Sequence, residues 1–147
     1  MADPASPLTK AATEAARKLL AEPPDAARLE AALRLLAKWR AEVVANTLAK
    51  RCDGVVLSGP FKGMVYGARA SEGSRAARMI GAYEASLHPV IEEIVAQEYA
   101  LVIDIGCAEG YYAVGLARRM AQVEVWARDA STKAQEMCRD LAAANGV

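Results

Sequence analysis

Aromatic side chains are scarce in this sequence. One phenylalanine, two tryptophans and five tyrosines stand among 147 residues, so an aromatic-rich core is not expected. Part of the 54% hydrophobic content is alanine, which reports helix propensity as much as burial. Histidine occurs once, at His88. The three cysteines, Cys52, Cys107 and Cys138, are odd in number and widely spaced, and no Cys-x-x-Cys pair accompanies a histidine cluster, so a zinc site is not expected and free thiols are. Excess charge is missing too: 18 basic residues balance 18 acidic ones, which removes any general attraction to nucleic acid or an anionic membrane. No run approaches the ~18 apolar residues of a membrane span, and no basic segment followed by an apolar one opens the chain, so a cytoplasmic location is the default expectation.

What is present suits a globular protein, with room for one ordinary domain or for a helical extension joined to part of a larger one. Residues Met1 to Pro7 read as frayed. Leu8 to about Glu22, with Lys10, Glu14, Arg17 and Lys18 in an alanine-rich run, favours a helix that Pro23 and Pro24 end. Asp25 can cap a second helix running to about Lys50, whose Leu29, Leu33, Leu36, Trp39, Val43 and Val44 recur at the spacing of one helical face, a core or oligomer face. Residues 1–50 therefore form a helical extension, and residues 51–100 a connecting segment. In the latter, Val55-Val56-Leu57 and Met64-Val65-Tyr66 flank a Ser-Gly-Pro turn as a short hairpin, Gly67 to Ser74 is a loop, and a helix is expected from Arg75 to Ala85. A further helix begins near Pro89.

Residues 101–147 carry the chemistry. Leu101-Val102-Ile103-Asp104-Ile105 is a short apolar run with β-branched residues, which predicts a strand buried on both faces of a parallel sheet. Gly106-Cys107-Ala108-Glu109-Gly110 follows, with two glycines that let the backbone turn sharply into a helix over Tyr111 to Met120 and let a ligand approach the main chain. Val123 to Ala127 predicts a second strand ending at Asp129, which lies 23 residues after Gly106. Ser131 caps a last helix, Thr132 to Ala144, with Asn145-Gly146 as its stop signal. Strand, glycine turn, helix, strand, acid, helix is the opening of a doubly wound α/β sheet, where ligands lie beyond the carboxyl ends of the strands and an acid after the second strand can accept hydrogen bonds from ribose hydroxyls.

A dinucleotide site calls for G-x-G-x-x-G, which brings a pyrophosphate onto a helix N-terminus. Here the string is DIGCAEG within LVIDIGCAEGYYAVGLA. It resembles the first motif of class I S-adenosylmethionine-dependent methyltransferases, VEVWARD resembles their second, and GAYEASLHPVIEEIV with YYAVGLA is similar to FkbM-type proteins. The resemblance covers roughly residues 81–147. It implies a Rossmann-like methyltransferase fold, first part only, with S-adenosyl-L-methionine as cofactor and methyl transfer, favouring oxygen, to an unidentified acceptor. It implies that Gly106, Cys107, Ala108 and Gly110 lie against the cofactor, that Asp129 holds its ribose, and that Asp104 sits near its methionine end. Ala108 stands where the family more often has glycine.

For several residues a structural role stands beside the functional one. Asp104 is equally a capping or loop-bracing carboxylate. Tyr83 and Glu84 are expected as a packing tyrosine and a solvated acid, His88 as the opening of a helix rather than a base, and Cys107 as a small buried side chain. One of Tyr111 and Tyr112 is expected in the adenosine pocket, and the sequence does not say which. A full domain of the family has more strands than the two that follow Ala100, so an incomplete chain is expected, with a bare sheet edge and self-association or a complementing chain. A nicotinamide-dependent oxidoreductase fragment and a non-catalytic interaction protein are the alternatives.

Overall fold

The computed structural model describes residues 6–21, 23, 25–67, 75–97 and 99–147. Most of the expected loop from Gly67 to Ser74, Pro24, and residues 1–5 of the expected frayed start lie outside them. The chain divides into two compact units, Met1–Val44 and Ala45–Val147.

In the first unit, α1 (Pro7–Leu20) starts one residue earlier than propensity suggests, because Ser6 Oγ accepts from the Thr9 N–H at 3.2 Å and Pro7 occupies the position where its missing donor costs nothing. α2 (Ala26–Arg51) is capped by Asp25, whose Oδ1 accepts from the Arg28 N–H at 2.9 Å. Trp39 Nε1 donates to Thr9 Oγ1 at 3.3 Å, tying α2 to α1. The apolar stripe does not face inward as a whole: Ala32 is buried, whereas Leu29, Leu33 and Leu36 are exposed.

The second unit opens with the expected hairpin reduced to a single antiparallel bridge, Val55 to Val65. The ladder stops there because the Met64 N–H, which would return the bond it receives from Val56, donates to Phe61 O at 3.0 Å, while the outward-facing Leu57 N–H donates to Met79 O at 2.8 Å. α3 (Arg75–Ile80) is shorter than predicted, closing where Gly81 takes φ 74° and donates to Arg78 O; a 3-10 turn over Ala85–Leu87 then leads into α4 (His88–Ala96).

The remainder is a β-α-β-α run: β1 (Leu101–Ile105), α5 (Tyr111–Arg119), β2 (Glu124–Arg128) and α6 (Thr132–Asn145). β1 and β2 pair in parallel, with Asp104 opposite Ala127 and Ile105 opposite Arg128. The fold is thus mixed α/β and mostly helical. β2 begins one residue later than predicted because the Val123 N–H is bound in a turn to Met120 O. Ser131 Oγ caps α6 by accepting from Ala134, and Gly146 ends it at φ 70°.

Burial on both faces, expected of β1, is not found. Val102, Asp104, Val125 and Ala127 lie half-buried on one face, while Leu101, Ile103, Ile105 and Trp126 are exposed on the other, Ile105 to 84%. Alternation of this kind is what a sheet covered on one side produces, and among the described residues only one side is covered. The core lies beneath the turn between β1 and α5. Phe61, Tyr66, Tyr83, Tyr111 and Tyr112 meet there through largely edge-to-face contacts, Phe61 and Tyr111 with ring centres 5.3 Å apart. The few aromatic residues are concentrated rather than spread.

Candidate functional site

The parallel ladder continues beyond β1 into the turn, where the N–H groups of Gly106 and Cys107 both donate to Arg128 O, at 2.8 and 3.0 Å. The turn is thereby fixed to the end of β2, and Asp129 comes beside it. Left-handed conformations alternate through it, with φ 81° at Gly106, 49° at Ala108 and 91° at Gly110. Above Gly106 there is open space: a Cβ added there would meet nothing within 4 Å. Above Gly110 there is none, since an added Cβ would lie 2.6 Å from Cys138 Sγ.

Asp129 joins the two sequence motifs into one site. Its Oδ2 accepts from the Ala108 N–H at 2.9 Å and its Oδ1 from the Ser131 N–H at 2.8 Å. These bonds, with one from Ala130, hold its carboxyl below the usual carboxylate range. Each oxygen of this half-buried group keeps a further lone pair.

Asp104 faces the covered side of the sheet, under the start of α5. Burial pushes its carboxyl above the usual range; the Ala113 N–H works against that shift and the Asp129 charge adds to it. Asp104 Oδ2 is buried with no hydrogen-bond partner.

Of the other sequence candidates, Cys107 is buried and its thiol is pushed up to about 12, chiefly by burial, which leaves little thiolate near neutral pH. Tyr111 is the tyrosine that packs beneath the turn, its O–H donating to Arg78 O at 3.4 Å. Tyr112 lies further out and donates to Glu84 Oε2 at 2.5 Å. Glu84 is exposed and left-handed at φ 45°. His88 Nε2 lies 3.3 Å from Tyr83 O, which makes it a donor bracing the start of α4. A cleft of about 450 Å³ lined by Ala117, Ala121, Val123 and Val125 opens at the other ends of the strands, away from these residues.

Sequence reasoning missed one part of the site. Glu109, inside the turn, is fully buried and forms an ion pair with Arg78 Nε at 3.1 Å, while the Tyr66 O–H donates to Glu109 Oε1 at 2.6 Å. The available signal was a charged residue between two small ones in a turn otherwise built for close packing. Its partners lie too far back in the chain for spacing to suggest them.

The donors of the turn decide what it can hold. The N–H groups of Gly106, Cys107, Ala108 and Gly110 are all bound internally, to Arg128 O, Arg128 O, Asp129 Oδ2 and Cys107 O. A phosphate cradle needs such groups free and convergent. The acceptors, in contrast, are two carboxylates with unused capacity. No family model matches the chain, and neither a curated protein nor a solved structure matches it.

Proposed function

We propose that the turn binds S-adenosyl-L-methionine and that residues 101–147 are the cofactor-binding opening of a Rossmann-like, class I methyltransferase domain. The observation that carries the reading is the bond from the Ala108 N–H to Asp129 Oδ2, which makes the glycine turn and the second-strand acid one site at the carboxyl ends of adjacent parallel strands. The residues fit the cofactor chemically. Asp129 keeps acceptor capacity for ribose hydroxyls, Gly106 leaves its Cβ space open, and the orphaned Asp104 Oδ2 is an acceptor for an ammonium at the methionine end. Cys107, Ala108 and Gly110 supply the small wall of the turn.

When bound, the cofactor supplies an electrophilic methyl group on a sulfonium. The chain's part is positioning: Asp129 orients the ribose, Asp104 the amino-acid end, and the rigid turn keeps both in register, so that catalysis comes from alignment of donor and acceptor. The acceptor is unassigned, with oxygen favoured by the resemblance, and the setting we propose is cytoplasmic. Among the described residues no helix is long and apolar enough to cross a membrane.

The test is calorimetric titration of the folded chain with S-adenosylmethionine, S-adenosylhomocysteine and NAD, with Asp129→Ala and Asp104→Asn alongside. Selective binding of the two methionine-derived ligands, weakened in both variants while circular dichroism stays native, is expected. Binding of NAD alone would replace this reading by the oxidoreductase one. No binding by a folded chain would leave the non-catalytic interaction protein.

A further inference from the structure

Glu109 is placed where the turn's ligand chemistry does not use it. Its side chain is 0% exposed and that of its partner Arg78 is 5% exposed. Arg78 is held from several sides. Its guanidinium lies 3.8 Å from the centre of the Tyr83 ring and 5.7 Å from that of Tyr111, and its carbonyl accepts from the Tyr111 O–H. Glu109 in turn receives the Tyr66 O–H, and their shared contact pushes the Tyr66 phenol far above its ordinary value, after burial, which is the larger cause. Burying two charges is expensive, and an apolar pair of similar volume generally serves stability as well or better. Stability therefore does not explain the pair.

Geometry does. The Glu109 backbone sits between Ala108 at φ 49° and Gly110 at φ 91°, two left-handed residues, the first carrying a Cβ that disfavours that conformation. A side chain anchored below the turn fixes the peptides on both sides of it. With Ala108 so turned, its N–H reaches Asp129 Oδ2 at 2.9 Å. We propose that Arg78 and Glu109, braced by Tyr66, are positioning residues: a buried clamp through which the segment before the sheet sets the shape of the turn and the aim of Asp129. The affinity part of this proposal rests on the cofactor reading above; the turn-shape part does not.

The experiment compares wild type with the apolar replacement Tyr66→Phe, Arg78→Met, Glu109→Leu, and with the charge-keeping Arg78→Lys. Three quantities are read: the denaturation midpoint, hydrogen exchange of the Ala108 amide against the amides of α5, and the Kd for S-adenosylhomocysteine. The apolar variant is expected to unfold no more easily than wild type, while Ala108 exchange and Kd each rise by about ten-fold or more. Arg78→Lys is expected to fall between the two. Ala108 protection and Kd that stay at the wild-type level in a folded apolar variant overturn the proposal. If that variant does not fold, Arg78→Lys decides, and an unchanged Ala108 exchange rate in it overturns the proposal equally. If wild type binds no S-adenosylhomocysteine, the cofactor reading fails and the exchange rates still decide the clamp.

Discussion

Replacing Gly110 and Gly106 by alanine, separately, isolates two effects that the turn keeps apart. Both residues are left-handed, so each alanine incurs roughly 1–2 kcal/mol of backbone strain, offset by about 0.4–1 kcal/mol from the stiffer unfolded chain. At Gly106 nothing else is added, since its Cβ meets no atom within 4 Å, and a net loss of about 1 kcal/mol is expected. At Gly110 the new Cβ would lie 2.6 Å from Cys138 Sγ and 3.2 Å from Cys138 Cβ, in the packed seam between the turn and α6. Overpacking of that kind adds about 1–3 kcal/mol, for a total of about 2–4 kcal/mol. Urea denaturation followed by circular dichroism measures both, and Cys138→Ala supplies a double-mutant cycle. Removing the sulfur should recover about 1–2 kcal/mol of the Gly110→Ala loss and none of the Gly106→Ala loss. If the turn binds the proposed cofactor, affinity should run the other way, with Gly106→Ala the milder variant for stability and the severe one for binding, because its Cβ enters the open space above the turn. Equal stability losses at the two glycines, or no recovery from Cys138→Ala, would refute the reasoning.

Two further predictions concern the seams of the second unit. Asn145 donates from Nδ2 to Val65 O and accepts at Oδ1 from the Val65 N–H, both at 2.9 Å, pairing with that residue as a strand would and tying α6 to the bridge segment. Asn145→Ala should cost about 1–3 kcal/mol by chemical denaturation, and Asn145→Asp should recover little, since it keeps the acceptor but sets a negative charge against a carbonyl at a helix C-terminus. Asp129 should give stability an acid limit. Its carboxyl is depressed in the folded chain by the Ser131, Ala108 and Ala130 N–H groups, so its contribution is present above the unfolded value of about 3.9 and is lost as pH falls below it through the folded one. The gap between wild type and Asp129→Asn in urea titrations should therefore narrow on acidification, and a gap that widens would reverse the sign of this argument.

The features legible in the sequence were those written locally. Four apolar residues around Asp104 marked β1 at its observed limits, and Ser131 with Gly146 bracketed α6. What was not legible depended on distant partners. Apolar residues on both sides of β1 read as burial on both faces, whereas Ile103 and Ile105 stand exposed, because composition records a strand's hydrophobicity and not what covers it. The hairpin stops at one bridge because the Met64 N–H closes onto Phe61 O, and the outward Leu57 N–H is taken by a carbonyl in α3, 22 residues away. Glu109 carried no expectation because nothing nearby could pair with it; its hydroxyl partner lies 43 residues earlier. For Asp104 the sequence left capping and ligand contact as alternatives. The structure places Asp104 on the covered face of the sheet and leaves its Oδ2 buried without a partner, which no neighbouring residue in the chain foretold.

That pattern of donors and acceptors argues for a class of ligand independently of any resemblance. The turn's N–H groups at Gly106, Cys107, Ala108 and Gly110 are spent internally and so are not offered to an anion, which two carboxylates at the ends of adjacent strands would repel. The same carboxylates attract cations and accept from hydroxyl or ammonium donors. Asp104 makes the case sharper, since burial disfavours its charged form and its Oδ2 is buried without a hydrogen-bond partner. A positively charged ligand reaching Oδ2 would favour the ionised form, so in the acidic range where Asp104 titrates binding should draw off protons. The number of protons released on binding, read as the dependence of calorimetric heat on buffer ionisation enthalpy, should then fall in Asp104→Asn. A phosphate-bearing dinucleotide would meet the opposite field and gain nothing from either acid at its anionic centre.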